Sequence, residues 1–326
     1  MFDTVGARER GGPFVPKDAS RNAWETHTRE FTDLKTMERR MFVAHYLNRS
    51  EARLGISANG ELLSVESSLP KLVHGNNLQT VCDPTPALKR LQEFVADHVD
   101  GPIPSIGEMP FARIDYCHNF QVGASLPDYV STMSQIPFLK HRAAIDGYDG
   151  VEWWGKNGRR VRVYDKYHEI LEKDKRRAPE ARGVLRFEVE IRRKARLLQR
   201  RLKKKHVTLS EVLDPRRAYV TLTETLNRMC LDHRFLPLDK ARIVIDERFR
   251  ARKATMLLGF LRRLESQCID QVKMSFPPSS FYLLRRELCE LGLWPPATGN
   301  AELPSLELPP FEELVGKAPE VCRDSR

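Results

Sequence analysis

The 326-residue chain has few cysteines and histidines, and none of them is spaced like a metal-binding or redox motif. Its six cysteines are widely scattered without a Cys-x-x-Cys pair, and its nine histidines include no His-x-His pair. This pattern argues against a zinc motif and favours reduced thiols. No apolar run is long enough to span a bilayer, and the opening residues lack the apolar core of a signal peptide. We therefore expect a soluble cytoplasmic protein with no membrane partner.

Positive charge is concentrated in one part of the chain. The formal net charge is +10, and between Lys156 and His206 there are 20 Lys/Arg against 7 Asp/Glu. The rest of the sequence is therefore slightly acidic. A local excess of this size favours a polyanionic partner, either a nucleic acid or an anionic surface.

Strand patterns dominate the first two-thirds of the chain, and helical patterns dominate the last third. We predict an α+β fold in which a central, largely antiparallel sheet with flanking helices is followed by a smaller helical C-terminal region. The predicted parts are a flexible leader over residues 1–35, an α+β catalytic domain over 36–206, a helical domain over 207–293 and a proline-rich, extended tail over 294–326.

Side-chain alternation along three predicted strands gathers polar residues on one face. In each strand an apolar set points one way and a polar set points the other. The polar sets are Arg113, Asp115, Cys117 and Asn119 in the first strand, Arg162, Tyr164 and Lys166 in the second, and Arg186, Glu188, Glu190 and Arg192 in the third. If the three strands share a sheet, its polar face holds a tyrosine, carboxylates, a lysine and arginines.

This inventory suits metal-assisted cleavage of a phosphodiester by a tyrosine. The phenol of Tyr164 has an ordinary pKa of about 10 and needs a cation or a base to become a nucleophile. Lys166 could stabilise the phenolate or the developing charge on phosphorus. Carboxylates supply hard oxygen ligands for Mg²⁺ or Mn²⁺, which would act as a Lewis acid on the scissile phosphate. The predicted ligands are Asp115, Glu188 and Glu190.

Cations around this face are predicted to hold the flanking phosphates, which contributes affinity without base specificity. The predicted DNA-binding residues are Arg113, Arg159, Arg160, Arg162, Arg186, Arg192, Arg193 and Lys194. The spacing also leaves simpler interpretations open. Tyr164 could be a packing residue, and the alternating charges of Glu188–Arg192 could form a solvated sheet face with cross-strand ion pairs.

Five segments resemble successive blocks of the gene II type replication initiators of filamentous bacteriophages, in family order. They are SLPKLVHGNN (68–77), FARIDYCHNF (111–120), VRVYDKYHE (161–169), GVLRFEVEIRRK (183–194) and LGFLRRLESQCIDQVKMSFPPSSFYLLRRELCELG (258–292). The blocks extend over most of the chain, and the Tyr-x-Lys-x-x-Glu and Arg-Phe-Glu segments are the most specific.

The resemblance implies a rolling-circle initiator that nicks one strand of the double-stranded replicative form at the origin in the bacterial host. The host polymerase would extend the 3′-hydroxyl, and the protein would rejoin the displaced single strand. In this scheme Tyr164 is the nicking tyrosine and forms a 5′-phosphotyrosine, while Lys166 and Glu169 complete its motif. Asp115 and Glu188 match acidic residues of two family blocks. A host helicase and a homodimer on DNA are further expectations.

Two features depart from the family pattern. The stretch before about Met41 does not follow the family's opening strand, and Tyr167 adds a second tyrosine that could serve in strand joining. The missing His-x-His pair favours carboxylate ligation of the metal. The alternatives are a plasmid-type rolling-circle initiator, and a non-catalytic DNA-binding regulator or single-strand-binding protein in which Tyr164 only packs.

Overall fold

The computed structural model describes residues 1–17, 24–32, 39–50, 52–145, 149–155, 158–192, 197–267, 269–298 and 302–316. The strands are β1 (Phe2–Arg10), β2 (Val15–Pro16), β3 (Trp24–Thr32), β4 (Arg39–Asn48), β5 (Ala52–Ser57), β6 (Leu62–Ser68), β7 (Val99–Asp100), β8 (Phe111–Gln121), β9 (His141–Ala144), β10 (Gly150–Trp154), β11 (Arg159–Asp165) and β12 (Val184–Arg192). Ten of these strands form one sheet in the order β3-β4-β5-β6-β1-β8-β12-β11-β10-β9, and β2 pairs with β7. Neighbouring strands of the large sheet are antiparallel throughout.

Four α-helices lie between strands, and after β12 the regular secondary structure is entirely helical in the described residues. The α-helices are α1 (Leu69–His74), α2 (Thr85–His98), α3 (Leu126–Ser134), α4 (Lys166–Lys173), α5 (Leu197–Leu202), α6 (Leu209–Val212), α7 (Pro215–Met229), α8 (Leu238–Arg248), α9 (Ala251–Ser266), α10 (Ile269–Met274), α11 (Pro278–Glu290) and α12 (Phe311–Gly316). The predicted α+β class, with an antiparallel sheet and a helical C-terminal region, is confirmed. In the described ranges, every helix is too short or too polar to cross a bilayer.

The first strand lies in the middle of the sheet, between β6 and β8. Phe2 has no exposed surface, and Val5 and Ala7 are each 1% exposed. The prediction of a flexible leader is therefore wrong for residues 2–10, and β3 places a further part of residues 1–35 at the sheet edge. The exposed charged side chains of β1, Arg8 and Arg10, lie at its end, whereas the residues from Phe2 to Ala7 are buried except for the partly exposed Thr4.

The described residues form two large hydrophobic cores and a small cluster of Ile170, Ala178 and Ala181, and the two large cores separate late in the chain. The larger core contains the sheet and continues through Phe235, whereas the smaller core belongs to α8–α11 and includes Phe260, whose ring stacks on Trp294 at 6.2 Å. Because α7 packs against β8 and β12, it belongs with the sheet. The cores separate at residues 230–238, later than the predicted boundary at residue 206.

The proline-rich tail packs back onto the larger core. Ala297, Leu303 and Leu306 are buried there, and the backbones of Phe235 and Leu303 exchange hydrogen bonds of 2.9 and 3.0 Å. Residues 302–310 have little regular secondary structure, but they are held by these contacts. The helical unit of α8–α11 is therefore an insertion between two parts of one core.

We predict that Phe2→Ala lowers the free energy of unfolding by about 3 to 5 kcal/mol, because it leaves a cavity beneath a central strand. Urea denaturation measures the change. The same substitution at Phe42, which is 36% exposed, is the matched control and should cost less than about 1 kcal/mol. Equal, small effects at both positions would mean that the N-terminal strand is not part of the folded core.

Candidate active site and nucleic-acid interface

The three strands that carry the predicted site are neighbours in the sheet, in the order β8-β12-β11. Asp115 lies directly opposite Glu190, and Tyr164 lies directly opposite Arg186. Paired residues of antiparallel strands project from the same face of a sheet. The polar side chains predicted for one face are therefore brought together.

Tyr164 is buried among these polar groups. Its side chain is 3% exposed, and its hydroxyl donates a hydrogen bond of 2.6 Å to Glu188 Oε1. The Nζ atom of Lys166 lies 5.9 Å from the centre of the tyrosine ring. Burial and then the negative charge of Glu188 raise the pKa of Tyr164 well above its ordinary value. The phenol is therefore held in its protonated form.

Lys166 and Glu169 form a buried ion pair at the start of α4. Asp165 caps this helix, which turns the chain from β11 into α4 and places both residues against the sheet. Burial and the charge of Arg186 lower the pKa of Lys166, outweighing Glu169. Burial by itself would raise the pKa of Glu169, but Lys166 and Lys173 outweigh it and hold that pKa below its ordinary value.

Arg186 has no exposed surface, and its donors are used inside the protein. Its Nε donates to Glu188 Oε1 at 2.8 Å, its Nη1 donates to the carbonyl of Asn77 at 3.1 Å, and its Nη2 lies 2.9 Å from Asp3 Oδ2. The prediction that Arg186 contacts DNA is corrected, because a phosphate cannot reach this guanidinium in the described arrangement. Asp3 and Asn77 were not predicted, since no local pattern links residues so far apart in the chain.

The three predicted metal ligands converge on an arginine. Arg162 Nη2 lies 3.6 Å from Asp115 Oδ2, 3.0 Å from Glu188 Oε2 and 3.6 Å from Glu190 Oε2. Its guanidinium takes the position between the carboxylates that a cation would need. Over the described ranges, no group of three or more His, Cys, Asp or Glu side chains is arranged to hold a metal ion. This arrangement does not fit a divalent ion, and the Mg²⁺ or Mn²⁺ requirement stays a prediction.

Asp115 and Glu190 respond differently to the same surroundings. Burial raises the pKa of Asp115 to about 7, although Arg113 donates to both of its oxygens at 3.0 and 2.6 Å. Burial would also raise the pKa of Glu190, but Arg113 and Arg192 outweigh it and lower that pKa. Of these two carboxyl groups, Asp115 is therefore the one whose pKa lies near neutral pH.

The remaining predicted DNA-binding cations divide between the two faces of the sheet. Arg160 projects from the face of the site and is 38% exposed. Arg159 lies on the opposite face, where it donates to Thr225 Oγ1 of α7 at 2.6 Å. The prediction that Arg159 contacts phosphate is corrected, because α7 covers that face. Arg193 and Lys194 lie outside the described residues.

Tyr167 lies in the first turn of α4 and not in the strand that carries Tyr164. It is only partly buried, and the guanidinium of Arg182 lies 5.7 Å from the centre of its ring. Tyr167 is thus the more accessible of the two tyrosines of the motif. Its role in strand joining stays a prediction.

A basic groove of about 1100 Å³ lies on the face of the sheet that carries the site. The pairings of Arg53 with Glu66, Glu66 with Gly6 and Gly6 with Arg113 place these residues on the same face as Asp115. Cations predominate in its lining, which in the described part of the chain has Glu66 as its one acid. The lining cations are Arg8, Arg10, Arg29, Arg53, Arg113, Arg192 and Lys205.

This basic groove adds residues that sequence reasoning missed. Arg8, Arg10, Arg29 and Arg53 lie in residues 1–60, where 10 Lys/Arg stand against 8 Asp/Glu, so a charge count over segments does not single them out. The available signal was the Arg8-x-Arg10 spacing, which places both side chains on one face of a strand. Tyr46 adds an aromatic ring to the lining, with the guanidinium of Arg53 4.7 Å from its centre.

Arg113 joins the basic groove to the buried residues. It lines the groove, is 20% exposed, and lies 2.7 Å from Glu66 on one side and 2.6 Å from Asp115 on the other. Arg192 has a similar position, since it lines the groove and donates to Glu190 at 2.5 Å. An open, cationic surface is therefore continuous with the cluster that holds Tyr164.

An antiparallel sheet with a basic groove beside a tyrosine–carboxylate cluster is the arrangement expected of a protein that binds nucleic acid. Residues 17–209 match the family described as the N-terminal part of the gene II replication-associated protein. This segment is more than half of the chain, so the protein belongs to that family, the gene II type replication initiators of filamentous phages. The match begins before Met41, within the stretch where no resemblance was recognised, and it ends before the segment 258–292. No curated protein matches the chain.

We predict that Glu169→Gln lowers the free energy of unfolding at pH 7 by roughly 3 kcal/mol, because it leaves the buried Lys166 without its partner. The lowered pKa of Glu169 means that this stabilisation is present above about pH 5 and is lost as the pH falls through the folded-state value. Denaturation at pH 7 and pH 3 should therefore show a difference that shrinks in acid.

Lys166→Met in the Glu169→Gln background is the control for this prediction. Removing the unpaired charge should recover most of the lost stability. The methionine and the glutamine are neutral and are similar in volume to the lysine and the glutamate that they replace. A stability difference that is equally large at both pH values, or a double variant no better than Glu169→Gln, would contradict the ion-pair explanation.

Proposed function

We propose that this replication initiator nicks one strand of duplex DNA at the phage origin and later rejoins the displaced strand, with Tyr164 as the nucleophile. The observation that carries the proposal is the placement of the basic groove and the Tyr164–Glu188 hydrogen bond on one face of the sheet, joined through Arg113. Family membership supports the replication role.

In the proposed nicking step, Tyr164 Oη attacks the scissile phosphorus. The phenolic proton passes to Glu188 Oε1, to which it is already hydrogen-bonded at 2.6 Å. The bond from phosphorus to the 3′ oxygen breaks, and that oxygen takes a proton from solvent and becomes a 3′-hydroxyl. The 5′ end stays on the protein as a phosphotyrosine. Attack of a 3′-hydroxyl on this ester reverses the step and seals the strand.

The burial of Tyr164 sets a requirement for this chemistry. A side chain that is 3% exposed cannot meet a phosphodiester until the groups around it move. Asn77 donates a hydrogen bond of 3.2 Å to Glu169 of α4, and its carbonyl accepts one from Arg186 of the cluster, so this contact is the proposed place of opening. The proposal therefore includes an opening step that accompanies DNA binding.

The proposed partners follow from this reaction. The replicative form at the origin is the duplex substrate, and the displaced single strand is the substrate for joining. Host polymerase and helicase would act on the nicked product in the cytoplasm of the bacterial host, and two copies of the chain could act together on DNA. Arg113, Arg160, Arg162 and Arg192 remain the predicted phosphate contacts on the face of the site.

We predict that Tyr164→Phe reduces nicking of supercoiled origin DNA at least about 1000-fold while changing DNA affinity less than about 3-fold. Conversion of supercoiled to open-circular DNA and fluorescence anisotropy measure the two quantities. Tyr116→Phe is the matched control, because it also removes a buried tyrosine hydroxyl hydrogen bond, to the carbonyl of Val212 at 2.7 Å on the other face.

Nicking by Tyr164→Phe at the parent rate would remove this tyrosine from the mechanism. Tyr167→Phe would then be the next variant to assay, since Tyr167 is the more accessible tyrosine. Equal losses in Tyr164→Phe and Tyr116→Phe would mean that the damage is structural and not chemical.

A second candidate function is non-catalytic DNA binding that regulates replication. The sealed environment and raised pKa of Tyr164 favour it, because both suppress nucleophilic attack. Incubation with origin DNA and a divalent metal, followed by denaturation in SDS, separates the two candidates. A covalent protein–DNA adduct mapped to Tyr164 supports nicking, whereas DNA binding without any adduct supports regulation.

We predict that Arg8→Ala and Arg53→Ala each weaken DNA binding roughly 3- to 10-fold near 150 mM salt and reduce the salt dependence by about one ion. Both arginines line the basic groove. Arg234→Ala is the control, because Arg234 is 77% exposed and pairs with Glu302 outside the groove. Losses as large in Arg234→Ala would show that only total charge matters and not the groove.

A further inference from the structure

The helical unit of α8–α11 has an exposed basic face that takes no part in the site on the sheet. On α9, positions within about 60° on either side of Gly259 form one face at 100° per residue. All of them are exposed: Arg252, Thr255, Met256, Gly259, Arg262, Arg263 and Ser266. The structure describes every residue of α9, and this face contains no acidic residue, because Glu265 lies beyond its edge.

The glycine at the centre of this face has no structural role within the chain. A side chain added at Gly259 would meet no atom within 4 Å, and its φ is not in the left-handed region. Glycine in a helix interior destabilises a protein relative to alanine. A residue that costs stability and packs against nothing in its own chain points to a close approach by a partner.

The shape and charge of the face fit the major groove of duplex DNA. Arg252 and Arg262 lie ten residues apart, which is about 15 Å along a helix, and the major groove is about 12 Å wide. Arginines at both ends can thus reach the two phosphate backbones. Gly259 and Thr255, in the middle, have small side chains that let the helix approach the base pairs closely. The hydroxyl of Thr255 bonds back to the carbonyl of Ala251 at 2.8 Å, which holds this side chain close to the helix.

Neighbouring cations extend the same charge. Arg248 and Arg250 stand at the junction of α8 and α9, and they form no ion pair with any residue in the described ranges. Arg263 donates to Ser275 Oγ at 3.3 Å, so it is partly engaged within the unit. Arg248 and Arg250, which form no ion pair in the described ranges, are therefore better placed for phosphate contact than Arg263.

We propose that α9 is a second DNA-binding surface, which inserts its Arg252–Ser266 face into the major groove of duplex DNA. This surface lies beyond residues 17–209, which match the family. The inference rests on the proposed function only in that the substrate contains duplex DNA. It does not depend on Tyr164 or on nicking.

The test uses the full chain with a labelled duplex of about 25 base pairs and a single strand of the same length, in fluorescence anisotropy over a range of salt. Arg252→Ala and Arg262→Ala should each weaken duplex binding roughly 3- to 10-fold and lower the salt slope by about one, with single-strand binding changed less than about 2-fold. The matched controls are Arg242→Ala and Arg286→Ala, which remove exposed arginines paired within α8 and α11.

Gly259 gives an independent arm of the test. Gly259→Ala should raise the midpoint of thermal unfolding by about 1 to 3 °C, because nothing opposes the better helix former. Gly259→Leu should weaken duplex binding at least about 10-fold, because it blocks close approach. If Gly259→Leu unfolds the protein, the arginine variants decide the question.

Three results would overturn the proposal. They are unchanged duplex affinity in both arginine variants, an equal loss on single-stranded DNA, and the loss of an oligomer in Gly259→Leu with DNA binding intact. The last result would assign the face to a protein contact. A Tyr164→Phe variant that still nicks would overturn the proposed nucleophile and leave the α9 surface standing.

Discussion

Arg186 carries a full positive charge with no exposed surface, and this constraint organises the face of the sheet that holds the site. A buried ion loses several kcal/mol of hydration, so its donors need acceptors inside the protein. Asp3 on β1, Glu188 on β12 and the carbonyl of Asn77 supply them. Asp3 reaches Arg186 because β1 is inserted beside β8. The buried charge and the central position of the first strand therefore depend on each other.

One guanidinium connects this buried cluster with the surface that can receive DNA. Arg113 lines the basic groove and also holds Asp115 and Glu190. A phosphate in the groove would compete with these carboxylates for the same donors, since arginine binds both kinds of oxyanion. Any loss of contact with Arg113 would raise the pKa of Asp115 further and favour its neutral form. Anion binding in the groove and protonation in the cluster are thus linked.

Sequence reasoning succeeded where the information is local. The period-two alternation in β8, β11 and β12 was enough to place Asp115, Glu188 and Tyr164 on one face, because strand geometry fixes that relation. The same alternation already places Arg159 with Val161 on the other face. Burial could not be predicted in this way. Whether a polar face is open or covered depends on α4, β1 and the segment at Asn77, and these contacts join residues as far apart as 3 and 186.

The boundary of the family match does not coincide with the boundary of the core. The match ends at residue 209, yet α7 and the tail residues Leu303 and Leu306 complete the hydrophobic core of the sheet. The helical unit is therefore tied to the sheet at both ends, by the chain leaving Phe235 and by the chain returning to it. Two DNA-binding surfaces joined in this way would raise each other's effective concentration on one DNA molecule. Modest affinity at each surface would then be enough to hold one duplex.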